Sequence, residues 1–503
     1  MIMLRRQKKA EDIYALLPDE PSGKNYFLEK GFSDLGGTIR ESFEANGKTA
    51  SKSFSSITGS KYSGVGKAAM GVLYFFAGIA VAIFGTVLTL LISVLHSIIV
   101  FFIMLVVYAG LGLSKFIDGV YRHTLGLSVV CDRCKIKTEL PGYNCPMCGK
   151  THYRLKPNVY GIFTHKCECG QKLPAAFYVR TKNKATGDSY RRKKLNAVCG
   201  NPNCETRVYP DESRPFTITI AGSPSVGKTA YLTAVSHELI EEALPKVGCT
   251  ITHYTPEKET MYLAAAKDYR SGETAKTIES TDRDKPSAFS LSFFIEHPKL
   301  KPKRLLHIFD IAGETFIRNT EHERQLQYSY AGVILIIDPM AIPEVRDRYE
   351  NELDEIDALS IGGEDPNQVL SAFVAKVQNA GVIAMGKQIN VPVAIVINKI
   401  DQPGVKNTFS NDAISAYKTG HPDCKAEQVE DQMCRDFLRE MRMGNFVTTV
   451  DVNFKTVRYF ACSAIGHARG RGIYEPKGVL KPIEWIATLT DRPLAKLFNT
   501  ESA

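Results

Sequence analysis

The order of apolar and polar residues separates regions of different character along the chain. From Ala68 to Leu113 no Asp, Glu, Lys or Arg interrupts the sequence. From Pro215 onward, short apolar stretches alternate with amphipathic segments. That alternation is typical of an α/β domain with a mainly parallel sheet. We therefore predict a membrane segment and, after it, an α/β domain at residues 215–503.

The uncharged run is too long for a single membrane span. As one helix it would measure roughly 70 Å at about 1.5 Å per residue, whereas a bilayer's hydrocarbon core is about 30 Å thick. Two helices, Ala69–Thr89 and Val94–Leu113, match that thickness better, with a turn near Ser93–Ser97. We predict a transmembrane helical hairpin at residues 67–114. A re-entrant or interfacial hairpin is the alternative, because no Gly or Pro marks the turn.

Charges on either side of the run indicate its orientation. Lys61 and Lys67 precede it, and Lys115 and Arg122 follow it. Positive residues at both ends favour the cytoplasm for both ends. The remaining domains would then lie on the cytosolic face of a membrane. Residues 1–66 form a polar, Gly- and Ser-rich cytosolic arm in this prediction.

Eight of the twelve cysteines form four close pairs within residues 128–210. Close pairs in a large intracellular chain indicate metal ligands rather than disulfides. Two CxxC turns joined by a hairpin can hold one zinc ion tetrahedrally, so we predict a zinc-ribbon-like domain. The first expected structural site consists of Cys131, Cys134, Cys145 and Cys148. The second consists of Cys167, Cys169, Cys199 and Cys204, with His165 as a spare ligand.

A basic run, Arg191–Lys194, lies between the last two cysteine pairs. Zinc ribbons often contact nucleic acid, so the run could bind phosphate. A solvated hairpin tip is the favoured interpretation, because clustered charges are usually just solvated. The chain's formal net charge of +9 suits a membrane surface, a nucleotide or a nucleic acid and does not choose among them.

The α/β domain begins with a phosphate-binding loop. The strand Phe216–Ile220 runs into Gly-Ser-Pro-Ser-Val-Gly-Lys-Thr at Gly222–Thr229, and a helical segment follows, as this motif requires. Backbone N–H groups of such a loop surround phosphates, and the lysine reaches the β- and γ-phosphates. Thr229 is expected to ligate Mg²⁺. The predicted nucleotide contacts are Gly222, Ser223, Ser225, Val226, Gly227, Lys228 and Thr229.

Three further motifs follow in order, each after an apolar strand. Asp310–Gly313 fits DxxG, which senses Mg²⁺ and the γ-phosphate. Asn398–Asp401 fits NKxD, whose carboxylate can accept two hydrogen bonds from guanine that adenine cannot donate. Ser463–Ala464 fits the loop whose backbone contacts the guanine oxygen. The predicted guanine contacts are Asn398, Lys399, Asp401, Ser463 and Ala464.

The ordered motifs resemble the translation-factor/Ras-like class of P-loop GTPases over about residues 215–500. With its membrane and zinc segments, the chain also looks like bacterial GTPases of the double-GTPase type. The resemblance implies that the protein binds GTP and Mg²⁺ and hydrolyses GTP to GDP and phosphate as a conformational switch. The catalytic set that it implies is Lys228, Thr281 of switch I (with Thr277 as second choice), Asp310, Gly313 and Glu314.

Glu314 departs from the family pattern, because Ras-like enzymes usually carry a glutamine there to orient the attacking water. A carboxylate would repel the γ-phosphate, so hydrolysis could be slow or need a partner. Two alternatives stay open: a GTP-binding scaffold that hydrolyses slowly or not at all, and a zinc-ribbon nucleic-acid effector gated by GTP. Insertions near residues 245–285, 340–385 and 403–455 are expected to bind an unidentified protein.

Overall fold

The computed structural model gives the positions of most of the chain. The described residues are 17–58, 64–131, 133–134, 137–209, 213–272, 290–310, 331–349, 365–379, 388–402, 405–467 and 472–498. They form two compact units. The first comprises Met1–Thr124 with Gly142–Val198, and the second comprises Leu125–Pro141 with Cys199–Ala503.

The uncharged run is one continuous helix. Short helix α1 (Tyr26–Glu29) and long helix α2 (Gly31–Thr58) precede it. The run lies within α3 (Val65–Ala80), a π-helical turn (Val81–Gly85) and α4 (Thr86–Leu125). Among the described residues, this 61-residue segment is the one helix long and apolar enough to cross a membrane.

The predicted turn between two spans is not confirmed. Ser97 Oγ donates to the Ser93 carbonyl at 2.7 Å, so the polar group that suggested a turn is satisfied within the helix. With no Gly or Pro in that stretch, every backbone bond of the helix can continue through it. The structure therefore has an apolar helix where the sequence predicted a helical hairpin.

Helix α2 lies antiparallel along this apolar helix, where the sequence predicted only a polar arm. Gly31 lies beside Met104, and Gly78 faces the Phe54 ring so closely that a Cβ there would come within 2.8 Å of it. Asn46 donates to the Gly85 carbonyl at 3.0 Å. That carbonyl ends the π-helical turn, where the regular bonding pattern of the helix is interrupted. The contacts of α2 thus cover one side of the apolar helix.

Short strands form the cysteine-rich part. They are β1 (Val129–Val130), β2 (Lys137–Thr138), β3 (Gly142–Asn144), β4 (Thr151–His152), β5 (Thr164–Lys166), β6 (Lys172–Pro174), β7 (Thr181–Lys182), β8 (Ser189–Tyr190), β9 (Ala197–Val198) and β10 (Arg207–Val208). The pairs β1–β2, β3–β4, β3–β9, β5–β6 and β7–β8 are all antiparallel. Strands of two or three residues bury little apolar surface, so another interaction must hold this part together.

A segment near the N-terminus braces the strands of the first unit. Glu20 accepts a hydrogen bond from His152 Nδ1 at 2.9 Å and from the Arg154 N–H at 3.0 Å. Ser22 forms an isolated bridge with Cys167. Burial alone would raise the pKa of Glu20, but the hydrogen bond from His152 and the nearby His165 ring lower this pKa to about 2. The carboxylate therefore stays charged and bonded at neutral pH.

The second unit is built on a seven-stranded mixed sheet in the order β12-β13-β14-β11-β15-β16-β17. Five strands are parallel to one another, and β12 and β13 add an antiparallel edge. The strands are β11 (Arg214–Ala221), β12 (Thr250–His253), β13 (Ser290–His297), β14 (Leu300–Asp310), β15 (Gly332–Ile337), β16 (Val393–Ile397) and β17 (Val457–Ala461). This is a GTPase-like arrangement, and the central strands are parallel as predicted.

Helices cover both faces of the sheet. Those described are α5 (Lys228–His237), α6 (Leu244–Lys246), α7 (Pro256–Ser271), α8 (Pro343–Tyr349), α9 (Pro366–Asn379), α10 (Val405–Thr408), α11 (Asn411–Gly420), α12 (Val429–Glu440), α13 (Gly444–Asn453), α14 (Lys481–Thr490) and α15 (Arg492–Phe498). Alternate residues of β15 and β16 enter two apolar cores, so Ile334 lies in one core and Leu335 in the other. The carboxyl ends of the parallel strands are thereby held at one edge of the sheet.

Candidate functional site: the nucleotide edge and two cysteine clusters

The phosphate-binding loop lies between the end of β11 at Ala221 and the start of α5 at Lys228. Lys228 Nζ donates to the carbonyls of Gly222 at 3.0 Å and Ser223 at 2.8 Å. The ammonium group therefore folds back over the loop that precedes its own helix. The N-terminus of α5 adds the positive end of a helix dipole beside it. Both features favour a polyphosphate at this position.

At two positions of the loop, neighbouring atoms lie so close to the backbone that only glycine fits. Gly227 has a φ of 87°, and a Cβ there would lie 2.7 Å from Asn398 Nδ2. A Cβ on Gly222 would lie 2.7 Å from the Ile336 carbonyl oxygen. Any side chain at either position would push the loop away from the strand or motif behind it. The glycines thus let the loop sit directly against the guanine motif.

Asn398 joins three parts of the site. It is 1% exposed, and its Nδ2 donates to the Val226 carbonyl at 3.0 Å. Its Oδ1 accepts from the Ala464 N–H at 3.2 Å. Ser463 Oγ donates to Asp401 Oδ1. One buried amide therefore links the phosphate loop to the Ser463–Ala464 loop, and Asp401 is oriented by the same loop.

Asp338 is a member of this network that the sequence prediction missed. It follows β15, is fully buried, and accepts from Lys399 Nζ at 2.7 Å. Lys399, which has a φ of 56°, also donates to the Ser225 carbonyl at 2.8 Å. Asp338 also caps the following turn by accepting from the Met340 N–H. The sequence did contain a sign of this role: Asp338 directly follows a strand of the parallel sheet, as Asn398 directly follows β16, so both lie at the same edge.

The eight paired cysteines form two four-sulfur clusters, but the predicted grouping was wrong. One cluster is Cys131, Cys134, Cys199 and Cys204; the other is Cys145, Cys148, Cys167 and Cys169. The reason is the antiparallel pairing of β3 with β9, which puts Tyr143 opposite Ala197. Cys199, which directly follows β9, and Cys145, which directly follows β3, therefore lie at opposite ends of this strand pair. His165, the predicted spare ligand, belongs to neither cluster; its Nε2 contacts the Lys156 carbonyl at 3.0 Å.

The sulfur spacing fits a tetrahedral metal ion. The Sγ–Sγ distances are 3.7 Å for Cys131–Cys204, 3.5 Å for Cys134–Cys199, 3.6 Å for Cys145–Cys169 and 3.5 Å for Cys148–Cys167. A zinc–sulfur bond of about 2.3 Å gives a tetrahedral edge of about 3.8 Å. All four distances come within a few tenths of an ångström of that edge. Both clusters could hold a metal ion.

One buried thiol in each cluster resists ionisation by itself, whereas a backbone hydrogen bond from Gln171 lowers the pKa of Cys169 to about 7. The neighbouring Cys131 and Cys134 thiols, and then burial, raise the pKa of Cys199 far above its ordinary value. Burial is the main cause that raises the pKa of Cys167. Because metal ligation requires thiolates, a bound cation would have to supply the compensating charge and displace the protons.

Comparison with known proteins assigns the chain to a family. The family described as Double-GTPase 2 matches residues 217–475, which is more than half of the chain. The chain belongs to this family. The second unit thus contains a P-loop GTPase domain of the double-GTPase type. No curated protein sequence matches the chain.

Solved structures similar to the Double-GTPase 2 chain are also GTPase domains. The GTPase-like domain of Ski7 from S. cerevisiae, bound to GTP, is 15% identical with a TM-score of 0.25. That alignment covers 50% of this chain and 43% of the Ski7 structure, so the chain spans less than half of it. The SRb-GTP/SRX complex of the signal recognition particle receptor from Chaetomium thermophilum is 14% identical with a TM-score of 0.23. There the alignment covers 55% of this chain and 97% of that one.

The Double-GTPase 2 match contains every predicted nucleotide contact and none of the paired cysteines. The structure brings together the phosphate loop, Asn398–Asp401 and Ser463–Ala464. Asp310 is the last residue of β14, opposite Ile220 of β11. Thr281, Gly313 and Glu314 lie outside the described residues. A GTP-binding, GTPase-like domain is therefore established, and all of its predicted catalytic residues, including Lys228, stay predictions.

Proposed function

We propose that this protein is a membrane-attached GTP hydrolase that works as a conformational switch. The observation that carries the nucleotide part is Asn398, whose amide joins the phosphate loop to the Ser463–Ala464 loop. These two bonds fix the distance between a phosphate site and a base site. Such preorganisation is what a guanine-selective triphosphate site requires.

Each residue has a separate role in this proposal. Lys228 binds the β- and γ-phosphates, and Asp401 selects guanine. Thr229 and Asp310 hold Mg²⁺, which neutralises phosphate charge. Thr281 and the segment Asp310–Glu314 report whether the γ-phosphate is present, since loss of that group removes the contacts that order them. Glu314 repels the γ-phosphate, as a neutral glutamine would not, so turnover is slow without a partner.

Lys228→Ala tests the phosphate role in the full-length protein. We expect GTP affinity to fall by about tenfold to a hundredfold, as one charge-assisted contact is worth about 1.5–3 kcal/mol. Mg²⁺-dependent phosphate release should fall with it. Fluorescent GTP titration and a phosphate-release assay measure the two effects. Lys418→Ala, at an exposed lysine on α11, is the matched control and should change neither.

Unchanged GTP binding in Lys228→Ala would contradict the proposal that the phosphate loop binds GTP. Tight GTP binding by the wild type without phosphate release would favour the scaffold over the hydrolase. In that case an activating partner should be sought before the switch is abandoned. The two assays together therefore separate a non-functional loop from a slow enzyme.

The apolar helix supplies the membrane part of the proposal. Helix α2 covers only one side of it, and Leu91, Leu95 and Phe102 are each about 60% exposed. A contiguous apolar surface of this length is costly in water, because each buried CH₂ group gains about 0.8 kcal/mol. A bilayer removes that cost. We therefore propose that the second unit works on the cytosolic face of a membrane.

Leu95→Trp tests membrane insertion without disturbing the packing, because the side chain is exposed. In the full-length protein reconstituted with lipids brominated on their acyl chains, we expect strong quenching of this tryptophan. Leu263→Trp, at an equally exposed leucine of α7, is the matched control and should be unquenched. The native Trp485 contributes the same background to both proteins. Equal fluorescence in both would contradict insertion.

A further inference from the structure

The positive charge of the protein is concentrated in one short region. Residues 142–198 contain twelve Lys and Arg but only two acidic residues, a net charge of +10. The whole chain carries +9, so the other residues together carry −1. Of the two acids in this region, Glu168 is already paired with Lys150 at 2.5 Å. The excess of positive charge is therefore confined to the region that contains the cluster of Cys145, Cys148, Cys167 and Cys169.

One buried glutamine joins the backbone of three of these lysines, and strand pairing adds a fourth. Gln171 is fully buried, and its Nε2 donates to the carbonyls of Lys172 at 2.9 Å and Lys182 at 2.8 Å. Its Oε1 accepts from the Lys184 N–H at 3.0 Å. Lys166 is the direct cross-strand partner of Lys172 in the β5–β6 pair. We call Lys166, Lys172, Lys182 and Lys184 the lysine face.

The lysine face is exposed and carries uncompensated charge. All four side chains are exposed, and none forms an ion pair within the described part of the chain. Like charges directly opposite each other across two strands are destabilising, so the Lys166–Lys172 pair costs stability. A fold that keeps this arrangement by means of a buried glutamine is best explained by an anionic partner that removes the repulsion.

The basic region is attached to the end of the uncharged run. The run ends at Leu113, and Ser114 Oγ lies 2.7 Å from Tyr178 Oη. One turn later, Asp118 accepts from Arg192 at 3.0 Å. Tyr121 then stacks on Phe177, with ring centroids 3.6 Å apart. Charged residues that are fixed at the end of an apolar helix lie at headgroup depth when that helix is in a bilayer.

We propose that the lysine face binds anionic phospholipid headgroups of the membrane that holds the apolar helix. This inference rests on the proposed membrane attachment. Nucleic acid is less suited, because the basic run Arg191–Lys194, the alternative phosphate-binding segment, does not present all its charges. Arg192 of that run is 3% exposed and donates to the Leu155 and Ala175 carbonyls and to Asp118.

The test measures how fast each lysine is acetylated in the full-length protein. The protein is reconstituted in vesicles of phosphatidylcholine alone or of phosphatidylcholine with phosphatidylserine, and mass spectrometry gives the rate at each lysine. With phosphatidylserine we expect the lysine face to react about fivefold more slowly. Attraction to an anionic surface favours the bound form of each basic residue by about that factor, and a bound lysine is protected from the reagent. High salt should restore the rates. The exposed Lys418, Lys425 and Lys455 are internal controls and should not change.

A variant pair checks the same point by a second readout. One variant changes the lysine face to glutamine at all four positions; the matched control changes the exposed Lys299, Lys418, Lys425 and Lys455 to glutamine. Electron paramagnetic resonance with spin-labelled lipids measures how strongly each protein prefers phosphatidylserine to phosphatidylcholine. We expect the wild type and the control to prefer phosphatidylserine several-fold and the lysine-face variant to lose most of that preference.

The outcomes separate this inference from the membrane proposal. Flotation in a density gradient shows whether the protein is attached to the vesicles. If it floats with both kinds of vesicle but its lysines react equally in both, the lysine face does not bind anionic lipid, and the proposal of membrane attachment is retained. If the protein floats with neither, membrane attachment fails and the inference fails with it. If an RNA oligonucleotide protects the lysine face in phosphatidylcholine vesicles and phosphatidylserine does not, the partner is nucleic acid instead.

Discussion

Asp401→Asn is expected to convert the protein from a GTP-binding to a xanthosine-triphosphate-binding protein. In the proposed site the carboxylate accepts two hydrogen bonds from guanine, and hydrogen bonds to charged groups are worth about 1.5–3 kcal/mol each. Losing both should weaken GTP binding by about 10²- to 10⁴-fold. The asparagine amide can instead donate to the carbonyl that xanthine carries in place of the guanine amine. Competition between labelled GTP and xanthosine triphosphate measures the exchange of preference.

The hydrogen bonds around Asp401 should keep the loop in place in the Asp401→Asn variant, so a change in nucleotide preference can be assigned to the side chain itself. Ser463 Oγ donates to Asp401 Oδ1, and the Gly466 N–H donates to Ser463 Oγ at 2.8 Å. An asparagine can keep its oxygen toward Ser463, so the loop should hold its position. Asp412→Asn, at an exposed carboxylate of α11, is the matched control and should leave GTP preferred. If Asp401→Asn bound neither nucleotide, the variant would have damaged the loop, and thermal unfolding of the variant would show it. If it still preferred GTP, Asp401 would not read the base.

The phosphate loop and the guanine motifs could be located from sequence because their chemistry fixes residue types at short spacing. Gly222 and Gly227 must be glycines for reasons visible in the backbone, and each motif directly follows an apolar strand. The parallel sheet then brings the strand ends to one edge. Asp338 was missed because its role depends on Lys399, which follows a different strand, and no local spacing encodes that contact.

Helix α2 and the cysteine grouping were mispredicted for a related reason. The apolar stripe of α2, which includes Leu35, Ile39 and Phe43, is thin and lies within a mostly polar sequence. This stripe can be identified as a packing face only when the apolar helix is known to lie beside it. The cysteine pairs are equally ambiguous, since four pairs with similar spacing can be combined in several ways. Chain topology decides between the combinations, through the pairing of β3 with β9.

The cysteine grouping leads to the second large prediction, because two pairs of substitutions give opposite results under the two groupings. If each cluster holds one zinc ion, Cys131→Ser with Cys199→Ser removes ligands from one cluster only and should leave one zinc per chain. Cys131→Ser with Cys145→Ser affects both clusters and should leave none. Under the grouping expected from sequence, these two results would be exchanged. Mass spectrometry of metal content in purified protein distinguishes them.

The loss of zinc should also unfold the region around the affected cluster. Structural zinc contributes about 10–16 kcal/mol of apparent binding energy in small domains, far more than strands of two or three residues can supply. The Cys131/Cys199 variant should therefore become sensitive to protease near that cluster and stay resistant within residues 142–169. Cys424→Ser, at an unpaired cysteine, is the control and should keep both ions and the wild-type digestion pattern. An unchanged digestion pattern after zinc loss would mean that packing alone holds the cluster. Since short strands bury so little apolar surface, we expect the metal to hold it.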